Sequence, residues 1–273
     1  MTFVEEEDLH EPWKRPVSAS TKLTGPMPAS LTVTLSNLVY LEKEHLPQAL
    51  ANRLIRLAAF QNPEFYKAQA MHMSVWDKPR VIGCAQNFPR HIGLPRGCHQ
   101  AVLDLLQENG IQVHTQDERN PGTPISVQFQ GVLREDQGAA VDAMLSHETG
   151  VLCAPTAFGK TVAAAAIIAR RGVNTLVLVH RTELMRQWQE RLQAFLGVDR
   201  NIVGIIGGGK SRPTGRIDIA VMQSLSRRGE VDPIVETYGQ VIVDECHHVG
   251  AVSFDAILRS AKARYVLGLT ATP

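Results

Sequence analysis

From Val132 onward the chain alternates short β-branched apolar runs with helix-patterned stretches, and this rhythm constrains the fold more than any other feature. Apolar runs lie at 151–153, 175–179, 202–206, 217–221, 241–243 and 265–269, and each reads as a strand buried on both faces. Helical patterns over 135–145, 160–170, 182–196 and 252–260 separate most of them. Strands apolar on both faces need helices above and below. The expected fold class is therefore α/β, a parallel sheet covered by helices on both faces.

Ahead of Val132 the signals are mixed. Residues 31–35 alternate as a strand does, and 46–60 reads as a helix with Leu50, Leu54, Leu57 and Ala58 on one face. A short strand is expected near 81–84, a helix over 101–109 closed by Gly110, and strands at 111–113 and 125–129. The sum is a small α+β module over 31–131, preceding the main domain over 132–273. Residues 1–30 begin with Glu5, Glu6, Glu7 and Asp8 and continue into a Pro/Ser/Thr/Gly stretch; with so little apolar content they read as a flexible lead-in.

Net charge is +1, so no global field draws the chain to nucleic acid, although a local basic track would suffice for a protein that grips a strand. The four cysteines, Cys84, Cys98, Cys153 and Cys246, form no close pairs and suggest no disulfide framework. Cys84, His91, Cys98 and His99 fit no common zinc spacing. No apolar run reaches the roughly 18 residues of a membrane span, and the acidic start is unlike a signal peptide. A cytoplasmic location and no membrane partner are expected.

Two segments carry chemistry. Ala154-Pro155-Thr156-Ala157-Phe158-Gly159-Lys160-Thr161 follows an apolar strand and opens an alanine-rich helix. Backbone N–H groups at such a turn make a cradle for phosphates, which Lys160 would reach while the Thr161 hydroxyl ligates Mg²⁺. Gly159 lets backbone approach the anion. An ordinary strand-to-helix turn is the bland alternative. Second, Val241-Ile242-Val243 runs into Asp244-Glu245 and then Cys246-His247-His248. Carboxylates at the C-terminal edge of a parallel sheet stand where such folds bind ligands. Asp244 would hold the Mg²⁺ and Glu245 would polarise an attacking water. A solvated loop start is again the bland alternative, and metal binding by the adjacent histidines is not expected, because they point apart and no third ligand is evident.

With both segments in place, about 130–273 resembles superfamily 2 helicases of the DExH type, in the XPB/UvsW/type III restriction-like branch. Leu133-Arg134-Glu135-Asp136-Gln137 is similar to the adenine-recognition motif, with Gln137 as base reader and Arg134 beside it. Residues 154–161 resemble motif I, 176–184 motif Ia, 221–225 the next strand-gripping segment, 244–247 motif II and 270–272 motif III. The resemblance implies a RecA-like P-loop domain, ATP and Mg²⁺ as cofactors, and a nucleotide site built from Arg134, Gln137, Ala154, Pro155, Thr156, Ala157, Phe158, Gly159, Lys160, Thr161 and His247. Of these, Lys160 would act in catalysis with Asp244 and Glu245; Thr161 and Asp244 would hold the metal. Ala157-Phe158 departs from the usual Gly-Ser or Gly-Ala and puts bulk beside the phosphates. Thr-Ala-Phe-Gly-Lys-Thr also resembles a narrower branch linked with primases in bacterial mobile or conflict systems, which makes a primase a candidate partner.

The other implied partners are DNA, with RNA left open, and a second RecA-like domain whose arginines enter the ATP site. No such half lies within these 273 residues, so little turnover is expected of this polypeptide alone. A non-motor nucleic-acid-binding or regulatory module and a translocase subunit of a restriction-like system are the competing readings. In the front module, Arg53, Arg56, Lys67, Lys78, Arg80, Arg90 and Arg96 interleave with Phe60, Phe65, Tyr66, Trp76 and Phe88. Aromatics in a core beneath solvated cations are one reading. A DNA-recognising front domain, which the resemblance favours, is the other. Gly207-Gly208-Gly209-Lys210 reads as a flexible loop, and Trp188 with Leu184, Leu192 and Phe195 as core.

Overall fold

The computed structural model describes residues 23, 25–227, 230–248 and 252–272; most of the expected lead-in, with its acidic run, and Pro273 lie outside the described residues. The chain divides into two compact units, one of residues 1–33 with 41–114, the other of 34–40 with 115–273.

The front of the chain contributes strands β1 (Ser30–Leu35), β2 (Val39–Glu42), β3 (Ala59–Gln61), β4 (Val81–Gly83), β5 (Gln86–Asn87), β6 (His91–Leu94) and β7 (Gln112–Asp117). Helices α1 (Gln48–Leu57), α2 (Pro63–Ala70) and α3 (His99–Glu108) accompany them. Five strands form one sheet in the order β5-β6-β2-β1-β7, and β3 and β4 pair separately as an antiparallel ribbon. The expected helix over 46–60 is shorter than its pattern. Pro63 forces the preceding Asn62 out of the helical region (φ −74°, ψ 110°), and the intervening residues take the extended path of β3. The Asn62 side chain then accepts from Glu64 N at 3.1 Å and starts α2, a helix the sequence pattern had not revealed.

The second unit is built on a seven-stranded sheet from β8 (Thr149–Cys153), β9 (Thr175–Val179), β10 (Val203–Gly207), β11 (Lys210–Arg212), β12 (Ile217–Val221), β15 (Gln240–Val243) and β16 (Tyr265–Thr270). The short pair β13 (Ser226–Arg227) and β14 (Glu230–Val231) forms a ribbon of its own. Strand order in the sheet is β11-β10-β12-β9-β15-β16-β8, and every pairing is parallel except β10 with β11. Helices α4 (Glu135–Leu145), α5 (Lys160–Arg171), α6 (Thr182–Leu196), α7 (Met222–Leu225) and α8 (Val252–Ser260) cover it. Alternation along the strands separates two cores. Val177, Val179, Ile219 and Ile242 pack with α5 and α6, whereas Leu176, Leu178, Val241 and Val243 pack with α7 and α8. This is the expected α/β architecture, RecA-like, with helices on both faces.

Two expectations in this unit need correcting. Residues 125–129 are an extended strap and not a ladder strand; the one bridge there joins Pro124 to Val173. Ile125 N donates to Gly172 O and Gln130 N to Phe195 O, both at 2.8 Å, so helix ends satisfy its donors while Ile125, Val127 and Phe129 pack on the core. Period-two alternation reports one-sided burial, which a strap satisfies as well as a strand. Gly207 ends β10 paired to Lys210, and Gly208-Gly209 is the two-residue turn of the antiparallel β10–β11 hairpin, all three at positive φ.

Candidate nucleotide site

Because the long strands are parallel, the segments after β8, β9, β12, β15 and β16 all emerge at one edge. After β8 the chain makes one 3-10 turn over Thr156–Phe158, passes Gly159 in the left-handed region (φ 85°, ψ 44°) and enters α5 at Lys160. Lys160 is 8% exposed, and its ammonium donates to Ala154 O at 2.9 Å and to Pro155 O at 3.5 Å. A buried ammonium needs such acceptors, and incoming anions could replace them. Thr161 is also buried, its hydroxyl accepting from Arg191 Nη1 at 3.3 Å.

Gln137, on the first turn of α4, is buried behind this loop. Its amide nitrogen donates to Phe158 O at 2.6 Å, and its amide oxygen accepts from Arg134 N at 3.0 Å. Arg134 Nη2 donates to the same Phe158 O at 3.0 Å, and the guanidinium lies 5.7 Å over the Phe158 ring. The unusual phenylalanine is therefore clamped by Arg134 and Gln137, with its ring packed against the main core.

Strand β15 ends in Asp244, which continues the ladder through its N–H to Leu178 O at 3.0 Å. The buried carboxylate accepts from the Trp188 indole Nε1 at Oδ2, 2.8 Å away, and from Glu245 N at Oδ1, 3.1 Å away. Burial pushes the Asp244 carboxyl above its ordinary range; the indole bond opposes this, and the charge of Glu245 adds to it. Glu245 itself adopts φ 50°, which it shares only with His72 as a positive value among the described non-glycine residues. That conformation costs a side-chain-bearing residue roughly 1–2 kcal/mol and is typical of sites where geometry serves chemistry. His247 Nδ1 stands 3.1 Å from Thr270 Oγ1 and 3.2 Å from Glu245 Oε2. The Thr270 hydroxyl donates its single proton to Thr272 O at 2.7 Å, so Nδ1 is the donor of the His247–Thr270 bond.

Strand β16 lies between β8 and β15, with Thr270 paired to Cys153 and Gly268 to Val243. Ala154 N donates to Thr270 O at 3.0 Å, so the phosphate-loop candidate and the His247 contact share one threonine. The ends of β8 and β15 thus stand two strand spacings apart, roughly 10 Å, a gap that side chains from both can close over a common ligand. The donor set suits a nucleoside triphosphate with magnesium: a lysine at a helix N-terminus for phosphate, and hard oxygens from Thr161 and Asp244 for the cation. All the residues expected at the site are gathered here. Trp188 and Arg191 were not expected; the spacing read Trp188 as core, and the one clue was that a buried indole N–H needs an acceptor.

The sequence model of the family described as "Type III restriction enzyme, res subunit" matches residues 130–273. The chain belongs to this family. Through it the chain joins the XPB/UvsW/type III restriction-like branch of superfamily 2. It is 35% identical over 141 residues to the DNA 3'-5' translocase XPB2 of Sulfurisphaera tokodaii, covering 52% of this chain and 31% of the relative. It is 36% identical over 172 residues to the putative DNA 3'-5' helicase Rad25 of Halobacterium salinarum, covering 62% and 28% respectively. The chain therefore spans about a third of the length of these curated relatives. The UvsW helicase of bacteriophage T4 superposes with a TM-score of 0.63 at 16% identity over 89% of this chain and 92% of that one, a likeness of fold.

Beside the candidate nucleotide site, Thr182 at the start of α6 borders a groove of about 790 Å³ that runs to the β10–β11 hairpin. Arg186, Arg200, Lys210, Arg212 and Arg216 line it, against the single carboxylate of Glu190. In the front module Phe65 is core, flanked by Tyr66 and by the Arg80 guanidinium at 5.6 Å. Trp76 and Phe60 are 94% and 51% exposed, so the reading of all these aromatics as core does not hold. Among the described residues no helix is long and apolar enough to cross a membrane.

Proposed function

We propose that this chain is the ATP-binding portion of a DNA helicase or translocase. The observation that carries the reading is that Lys160 and the Asp244-Glu245 pair flank β16 at one sheet edge, joined through Ala154, Thr270 and His247. In this reading the backbone from Ala154 to Gly159 and the Lys160 ammonium hold phosphates, while Thr161 and Asp244 hold Mg²⁺. The metal, when bound, neutralises phosphate charge. Glu245 takes a proton from the attacking water, and His247, bonded to Thr270, stands 3.2 Å from that carboxylate. Arg134 and Gln137 fix the loop at the base end. DNA backbone would run past the first turn of α6 into the basic groove, whose five cations and one carboxylate suit phosphates.

Residues 1–273 hold one RecA-like domain, whereas the resemblance implies arginines from a second one for rapid hydrolysis. This polypeptide alone should therefore bind Mg-ATP with little turnover. The test pairs calorimetric ATP binding with steady-state ATPase assays of the protein extended to a second RecA-like domain, with single-stranded, duplex and forked DNA. Lys160→Ala and Glu245→Gln should each abolish turnover, and Glu245→Gln should still bind ATP. Turnover surviving either change would remove that residue from its role, and no Mg-ATP binding by the parent chain would overturn the reading.

A further inference from the structure

We propose that Trp188 is a positioning residue for the nucleotide site, and that its indole N–H sets the Asp244 carboxylate for metal binding. The inference rests on the reading of Asp244 as a magnesium ligand. Trp188 lies on α6 with 3% of its surface exposed, and its N–H donates to the 8%-exposed Asp244 at 2.8 Å. A ring filling core space alone needs no donor; Leu192 and Leu196 on the same helix fill it without one. The indole supplies what a leucine or phenylalanine cannot, a hydrogen bond to a buried carboxylate oxygen.

The choice of donor matters. A lysine or arginine in this place would form an ion pair with Asp244 and neutralise its charge. The indole pins the carboxylate plane while leaving its negative charge intact. Of the four acceptor directions of Asp244, the indole and Glu245 N take one on each oxygen, which leaves the carboxylate oriented but with free lone pairs. One turn further along α6, Arg191 reaches the Thr161 hydroxyl at 3.3 Å. The same helix face therefore touches both oxygens assigned to the metal, one at the start of α5 and one at the end of β15. Because α6 is a continuous 15-residue helix, it fixes the two relative to each other.

The test measures ATP affinity of the 273-residue chain by calorimetry, once in EDTA and once in saturating Mg²⁺; the ratio is the gain due to the metal. Trp188→Phe should leave affinity in EDTA within about twofold and lower the gain about tenfold, the scale of one hydrogen bond to a charged group. Asp244→Asn is run beside it. If Asp244→Asn keeps the full gain, the metal reading itself is wrong. If Asp244→Asn loses the gain while Trp188→Phe keeps it, the positioning role is refuted. An equal loss in EDTA and in Mg²⁺ would reduce Trp188 to a packing residue and also overturn the proposal. Should Trp188→Phe fail to fold, as judged by circular dichroism, the tryptophan is replaced by its benzothiophene isostere in a chain carrying Trp13→Phe and Trp76→Phe. That isostere exchanges N–H for sulfur at constant shape, and the same two outcomes apply.

Discussion

Replacing Gly159 by alanine strikes the proposed phosphate loop where its backbone is least tolerant. At φ 85° and ψ 44° a side-chain-bearing residue costs roughly 1–2 kcal/mol. The new Cβ would also stand 2.7 Å from Gln137 Nε2. That amide is the end of a flexible side chain, yet it is pinned on both sides: the nitrogen donates to Phe158 O and the oxygen accepts from Arg134 N. Moving it strands a buried polar group, a cost of roughly 1–3 kcal/mol. The combined cost is roughly 2–5 kcal/mol, and its lower end corresponds to about a 30-fold loss in Mg-ATP affinity. Calorimetry reads the affinity and urea unfolding reads how much of the cost falls on the whole fold. Gln137→Ala added to Gly159→Ala should return the steric part, so the two changes should be non-additive. Affinity within threefold of the parent for Gly159→Ala would refute the reasoning.

Other predictions concern the opposite edge of the sheet and the basic groove. Tyr238 is fully buried and its hydroxyl donates to Asp218 Oδ2 at 2.7 Å, so Tyr238→Phe should cost roughly 1.5–3 kcal/mol and lower the calorimetric melting temperature by roughly 3–10 °C. An unchanged melting temperature would show that the bond contributes nothing. The guanidinium of Arg119 holds the Asp117 carboxyl down from its ordinary 3.8 to about 2. Since the folded value lies below the unfolded one, this pair stabilises the fold above pH 3.8 and loses that contribution as pH falls toward 2. Arg119→Gln should flatten the acid limb of the urea midpoint, modestly because Asp117 is partly exposed; an unaltered limb would count against it. Arg186→Ala and Arg212→Ala should each reduce the slope of log affinity for duplex DNA against log salt by about 0.9, and unchanged slopes would remove the groove from the DNA path.

The inner strands β9, β12 and β15 were legible because they are buried on both faces, as in Thr175–Val179. The run at 151–153, expected to be buried likewise, lies in edge strand β8 with only Leu152 buried. Strand β11 was hidden because Lys210–Arg212 is exposed throughout and held by hairpin pairing alone. Helix α2 escaped notice because Phe65 and Ala68 are its only buried residues, too few to make a stripe. Around the site, the common edge of Lys160 and Asp244 was readable, because parallel strands deliver all their C-terminal ends to one side. The contacts that join separate elements were not. Trp188 to Asp244 spans 56 positions and Arg191 to Thr161 spans 30, and local periodicity holds no information about either. A buried tryptophan at helical spacing looks the same in sequence whether or not its N–H meets a carboxylate.

A crystal structure of the chain with Mg²⁺ and a non-hydrolysable ATP analogue tests most directly whether the two sheet ends serve one ligand. The expected result is one metal, bound by Thr161 Oγ1 at about 2.1 Å and held by Asp244 directly or through a water, with Lys160 Nζ moved from Ala154 O onto a phosphate oxygen. A nucleotide bound elsewhere, with Lys160 still on Ala154 and no metal between Thr161 and Asp244, would contradict the account.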